Sequence, residues 1–301
     1  MWDTSSCVAL TDFHRGLSAF NRRRLAPISK THDWRGDLRE ELAWRLREGE
    51  FLERERAHVR ERADTAPTDR DAFMKWFEDL DQTGPGQHDS LFQWLADSAP
   101  RGALLWFLHQ EVGGEAGFED LVAMTQVKMP VIAKLELARN YWDEMGQGKR
   151  PGMHGPMLEV LSEELGVGEA EDSTPIVWES LALSNLMVGL ATNRRYAFQS
   201  VGALGAIEMT APWRAERVNL ALKRLGVRGE ARRYFALHST LDVKHSKAWN
   251  SEVIYTLAKD VDAQRAMAEG ALMRLEAGRR CFEQYRAHLF ETDILPLGLT
   301  G

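Results

Sequence analysis

Apolar residues recur three and four positions apart through most of the chain, and no sustained period-two alternation bounded by Asn-Gly or Asp-Gly turns occurs. The first pattern lays an apolar face along a helix, so the chain is expected to be all-α. Residues 34–64, WRGDLREELAWRLREGEFLERERAHVRERAD, set that spacing among charges, as one long amphipathic helix or two shorter ones would. The stretch 67–82 opens on Pro67 and nearby acids, a helix-start signal, and TGPGQ at 83–87 ends it.

From residue 89 the character changes. SLFQWLADSAPRGALLWFLHQE (90–111), TPIVWESLALSNLMVGLATNRRYAF (174–198) and SVGALGAIEM (200–209) are apolar around most of a helix, which predicts burial on several sides. Pro100, Gly113-Gly114, Pro130, GQGKRPG (146–152), Pro175, Pro212 and Gly226 to Gly229 act as breakers. They divide this region into roughly eight helices of ordinary length. The last is a long amphipathic stretch over 260–290. The predicted architecture is a compact bundle over 88–290, with a helical N-terminal extension (1–87) packed on it and a frayed tail (291–301).

Composition narrows the partners. The 301 residues are 44% hydrophobic, ample for one large core. A net charge of −7 argues against nucleic acid or an anionic membrane as the main partner. The short basic runs at Arg22 to Arg24, Arg194-Arg195 and Arg232-Arg233 sit among acids and read as solvated helix faces. Cys7 and Cys281 are far apart and form no CxxC, so neither a disulfide framework nor a zinc ribbon is expected, which suits a reducing compartment. No charged n-region precedes a long apolar run, and no apolar stretch is long enough to span a bilayer. A cytoplasmic protein is expected.

The chemistry gathers around HSTLDVKH (238–245). On a helix His238, Asp242 and His245 project within about 60° of one another. Flanking apolar rows turn this stripe inward, where a buried Asp between imidazoles is costly unless something neutralises it. A divalent metal such as iron, manganese or zinc does so. The bland alternatives are a surface polar stripe or a core His satisfied by its own Asp. Glu208 lies in the apolar run SVGALGAIEM, where a lone carboxylate demands a partner unless it is merely an edge residue before TAPWR. In the same run Gly202, Ala203, Gly205 and Ala206 would let a neighbouring helix approach closely. Glu144 closes one predicted helix and His154 opens the next. The glycines and Pro151 between them can re-aim His154 beside Glu144, although Asp143 competes as the inward acid. Glu and His side chains from facing helices of a bundle are what a carboxylate-bridged pair of iron ions requires.

These residues carry a resemblance. In DEMGQG…H, GAIEM.AP.R and YF..H…D..H…W the chain resembles the haem-oxygenase-like diiron oxidases and oxygenases, also called iron-containing redox enzymes. That family's pattern is a Glu and a His early in the core, a single later Glu, then His-x3-Asp-x2-His. The matching positions are Glu144, His154, Glu208, His238, Asp242 and His245. The resemblance implies a haem-oxygenase-like helical fold that holds iron instead of haem, with two Fe(II) ions per chain and O2 as co-substrate. It further implies O2-dependent oxidation of a small molecule, by N-oxygenation, desaturation or C–C cleavage, many members acting on amino acids, fatty acids or other carboxylates. An external electron donor is compatible with it. Some relatives carry a further carboxylate ligand on an earlier helix, for which Glu111 and Glu115 are the candidates. A substrate carboxylate would be anchored by a buried Arg. Arg139, Arg194, Arg195 and Arg214 lie near the site in sequence, and none is assigned that role. Trp106, Trp142, Trp178 and Trp249 are read mostly as core, Trp249 also continuing the row of His245.

Two other classes remain open at this stage: a mononuclear enzyme (iron oxygenase or zinc hydrolase) using a subset of these ligands, and a non-catalytic helical binding protein. Haem ligation by His14 or His32 lacks a proximal-ligand context. A homodimer, paired through the last long helix, is expected from the prevalence of two-fold oligomers.

Overall fold

A computed structural model describes residues 4–27, 33–166 and 175–292, and the described residues form helices and connecting turns with no strand. In chain order they are α1 (Thr4–Leu25), α2 (Trp34–Ala63), α3 (Arg70–Thr83), α4 (Ser90–Asp97), α5 (Arg101–Gly113), α6 (Phe118–Thr125), α7 (Val131–Glu144), α8 (His154–Leu165), α9 (Trp178–Thr192), α10 (Ala197–Arg224) and α11 (Arg233–Ala248). A π-helical segment (Trp249–Ile254) and a short α12 (Tyr255–Leu257) continue α11, and α13 (Val261–Thr292) closes the chain. The fold is an all-α, haem-oxygenase-like bundle.

Helix starts follow local chemistry. Asp33, Asp69 and Asp89 accept from the backbone N–H of Arg35, Ala72 and Leu91 at the first turns of α2, α3 and α4. The 34–64 pattern is one continuous helix. The predicted 260–290 helix runs to Thr292, and the remainder of the expected tail, 293–301, lies outside the described residues. From residue 89 onward the breakers act as expected at Pro100, which parts α4 from α5, at Gly113-Gly114, which parts α5 from α6, and at Pro130, which parts α6 from α7.

Pro212 does not break its helix: α10 runs from Ala197 to Arg224 through it. The missing N–H forgoes one bond to the carbonyl four residues back, at Glu208, and burial of α10 on several sides holds the helix together across that gap. Glu208 is therefore mid-helix, not an edge residue.

The axis of the bundle is the α10–α13 pair. Gly202 stands where a Cβ would lie 1.9 Å from Met267 O, and Gly270 where one would lie 1.8 Å from Gln199 O, so the two backbones touch. One apolar core, from Leu17, Phe51 and Phe73 through Leu204 to Leu272, joins the N-terminal helices to the bundle. A second, around Phe92, Phe107, Leu161, Phe282 and Tyr285, fills the other end. α13 packs against α10, α2 and α9. Trp249 is fully buried, its Nε1 donating to Val201 O (3.2 Å), whereas Trp142 is exposed, contrary to its reading as core: it ends α7 on the outer face. No described helix is long and apolar enough to cross a membrane.

Candidate metal centre

The turn between α7 and α8 decides the site. Gly146, Gln147 and Gly148 all take positive φ, and Met145 bridges to Met153, so the chain doubles back within a few residues. The close of α7 and the opening of α8 are thereby brought together. Glu144 Oε2 meets His154 Nε2 as an ion-pair contact. α11 adds His238, whose Nε2 is 2.7 Å from His154 Nε2. α11 also adds His245, whose Nδ1 is 3.3 Å from Glu144 Oε1, 3.6 Å from Glu208 Oε2 and 4.0 Å from Asp242 Oδ1. All six sequence-predicted residues are buried and adjoin one another. Ligand-type atoms converge in two groups, Glu144–His154–His238 and Glu144–Glu208–His245, and Glu144 belongs to both. Asp242 borders the second group without joining it.

The surroundings orient these side chains. His238 Nδ1 lies 2.6 Å from Tyr234 O; a proton donated there leaves Nε2 as a free lone pair facing Glu144 and His154. His245 is held the opposite way round. Its Nε2 meets Asp143 Oδ2 at 3.3 Å, which turns Nδ1 inward. Asp143 is thus the outer acid and Glu144 the inner one. Asn140, one turn before Glu144 on α7, donates from Nδ2 to Glu208 Oε1 (2.5 Å). The sequence reading did not single out Asn140, though its i, i+4 spacing from Glu144 puts both on one helix face.

Electrostatically the cluster is short of positive charge. Burial, then the charges of Glu208 and Glu144, push the Asp242 carboxyl up to about 9. Burial likewise raises Glu208, despite His245 beside it. Burial opposes ionisation of Glu144 too, but the neighbouring His154 and His245 outweigh it and bring its carboxyl down to about 2. His245 is pushed up to about 11, since Glu144 and Glu208 outweigh its burial, while burial and His154 press His238 down to about 4. Beyond these imidazole–carboxylate contacts, Glu144 Oε2, Asp242 Oδ1 and His245 Nδ1 are buried and make no well-directed hydrogen bond. Three such atoms aimed into one cluster of imidazoles and carboxylates fit a divalent cation, which neutralises the acids and takes up the lone pairs.

The other candidates fall elsewhere. Glu111 accepts from Tyr285 OH (3.1 Å) and joins neither ligand group, nor does Glu115. Arg139 pairs with Glu136 and Glu252 on the surface. Arg194 donates to the carbonyls of Met124, Thr125 and Val127, and Arg195 is exposed. His14 sits in an aromatic cluster, stacked on Trp178 and edge-on to Phe51, and His32 lies outside the described residues.

A cavity of about 200 Å³ opens directly onto Glu144, His154, Glu208, His238 and Asp242. It runs between α5, α9, α10, α11 and α13 and is walled by rings and aliphatic chains such as Phe107, Phe118, Leu158 and Met187.

The sequence pattern of a family described as iron-containing redox enzymes matches residues 105–279, more than half of the chain and all of the side chains gathered here. The chain belongs to the iron-containing redox enzymes. No curated protein matches it. For an iron-containing redox enzyme, the Glu/His cluster at the end of this cavity is the place with the donor set for iron, and it makes the protein an iron oxidoreductase.

Proposed function

We propose that the chain is a non-haem diiron oxidoreductase that uses O2 to oxidise a small carboxylate-bearing metabolite. The observation that carries this reading is the double role of Glu144: one oxygen faces His154 and the other faces His245. A carboxylate placed so would serve both ligand groups if each held an ion. His154 and His238 would complete the first, and Glu208 and His245 the second, with Asp242 beside it. Three carboxylates also suit two divalent ions better than one. Iron bound there would supply open positions at which O2 is taken up and the electrons that reduce it.

The chain's own residues do the rest. Tyr234 O and Asp143 hold His238 and His245 with lone pairs inward. Asn140 occupies one oxygen of Glu208 and leaves the other toward His245. Rings and aliphatic chains line much of the cavity beside the cluster. The volume, about 200 Å³, lies below the ~300–1,000 Å³ of pockets for drug-sized ligands and suits a compact metabolite.

Glu144, His154 and His238 by themselves form a two-histidine, one-carboxylate set, which favours a second reading as a mononuclear Fe(II) oxygenase. Anaerobic Fe(II) loading separates the two. Two irons per chain and O2 uptake stimulated by a small carboxylate are expected. A single iron that His245→Ala does not disturb would establish the mononuclear site, and no iron at all would end both readings.

A further inference from the structure

Arginines that reach into the fold of this protein mostly spend their donors on the protein. Arg224 donates to the carbonyls of Leu95, Ala96 and Ala99, and Arg232 to Val227 O and Asn219 Oδ1. Arg214 on α10 and Arg274 on α13 differ. Both line the cavity that reaches the Glu/His cluster, and neither is hydrogen-bonded to or ion-paired with a described residue. Arg274 Nε is buried and wholly unpartnered. Both arginines are otherwise largely buried.

Their electrostatic surroundings are unbalanced. The Arg214 guanidinium is pressed down to about 10 by burial and then by Arg274, a like charge beside it. Glu111 is the acid that acts on both. One oxygen of Glu111 already accepts from Tyr285 OH, which in turn is 2.8 Å from Ser180 Oγ. Asp81 and Asp242 also act on Arg214, and Glu115 on Arg274, but at a distance: none of these acids is in hydrogen-bond or ion-pair contact with either guanidinium. A buried positive pair with free donors is costly until an anion joins it.

We propose that Arg214 and Arg274 form the anion-binding end of the cavity and hold the carboxylate of a compact organic acid. This rests on reading the cavity as the substrate pocket and adds which end of the substrate goes where. Arg214 lies six residues beyond Glu208 on α10, a rise of about 9 Å, and Ala211 between them keeps the passage open. The acid therefore lies along α10 with its carboxylate on the arginines, its apolar body against Leu183, Met187 and Ile207, and its opposite end at Glu208 and His238. Oxidation falls several bonds from the carboxylate, not beside it. Gly278 is a positioning residue. A Cβ there would lie 2.8 Å from Arg274 Nη1, so this glycine gives the guanidinium its place.

Titration calorimetry on the full chain, kept metal-free with chelator, tests this with benzoate, hexanoate and 3-phenylpropanoate, each beside its primary amide. At least one acid should bind, with its amide about tenfold weaker or more, the worth of a charge-assisted contact. Arg214→Met and Arg274→Met should bring the acid down to the level of its amide. Gly278→Ala, which leaves the helix intact, should weaken the acid and spare the amide. Equal binding of acid and amide, no binding by any acid, or full acid affinity in all three variants would overturn the proposal. Inorganic phosphate displacing the acid more tightly than the acid itself binds would also overturn it, and assign the pair to a phosphate. Because no iron is present, this result is independent of the iron count: a chain that binds acids but holds fewer than two irons sinks the diiron reading and leaves the anion site standing.

Discussion

Glu144 and His245 face each other across the centre of the cluster, Oε1 3.3 Å from Nδ1, although α7 and α11 contribute them from distant parts of the chain. The other Glu144 oxygen is turned to His154, so this one carboxylate ties both ligand groups together. Glu144→Ala should therefore remove iron from both positions, whereas His154→Ala and His245→Ala should each remove it from one. Metal analysis after anaerobic loading reads the difference. O2 uptake should fall in all three by more than the ~10–100-fold that follows loss of an outer partner. Retention of both irons by Glu144→Ala would show that the carboxylate is not shared.

Asn140 provides a gentler probe. Its Nδ2 donates to Glu208 Oε1, and no other contact of comparable length holds that oxygen. Asn140→Leu removes the donor while keeping much of the volume. Iron affinity should drop by about 10-fold, the usual scale for a partner that orients a ligand, with little change in the far-ultraviolet circular dichroism. An unchanged affinity would mean that helix packing alone orients Glu208.

Acid sensitivity should trace to a residue far from the cluster. His14 is buried against Trp178 and Phe51, and burial, with help from the charges of Arg280 and Arg54, holds its imidazole down to about 3. Below about pH 6.5 the unfolded chain protonates this histidine and the folded chain does not, so stability is lost as pH falls from about 6.5 toward 3. From pH 7 to pH 5 that amounts to about 2 kcal/mol. Glu179 works the other way: burial lifts its carboxyl to about 7, so the folded chain takes up that proton first and gains stability as pH falls from 7. Urea unfolding of His14→Phe beside the natural chain isolates the histidine. The variant should lose about 2 kcal/mol less than the natural chain between these pH values, and parallel pH curves would refute the assignment.

The helical class, the long α2 and α13, and the inward stripe of α11 were legible because three- and four-residue spacing is a local signal. The nearness of Glu144 to His154 was legible as well, since only a short glycine-rich turn separates them in sequence. Pro212 misled because a proline ends a helix only when nothing else supports it, and the packing of α10 is a tertiary fact. Arg274 was invisible for the same reason. It lies on an amphipathic helix among other charges, and only the folded chain shows that this arginine, unlike Arg279 or Arg280 nearby, is turned into a cavity with no acid paired to it. Trp142 went the other way: it was read as core with the other tryptophans, yet successive helix positions point about 100° apart and this one faces outward.

The α10–α13 contact that frames the site makes a sharp stability prediction. Gly202 and Gly270 each meet backbone carbonyl atoms of the opposing helix, and backbone cannot swing aside as a side chain can. Gly202→Ala must push the helices apart and disturb every contact along the pair, including those that set Glu208 opposite the rest of the cluster. The expected cost is about 3 kcal/mol or more, the upper range for overpacking a core. Gly49 in α2 is the control, for a Cβ there meets nothing within 4 Å. Gly49→Ala should gain up to about 1 kcal/mol from helix propensity alone. Thermal unfolding of the two variants should thus move in opposite directions from the natural chain. If Gly202→Ala melted with the natural chain, the close crossing would be wrong, and with it the frame that holds Glu208 over His245.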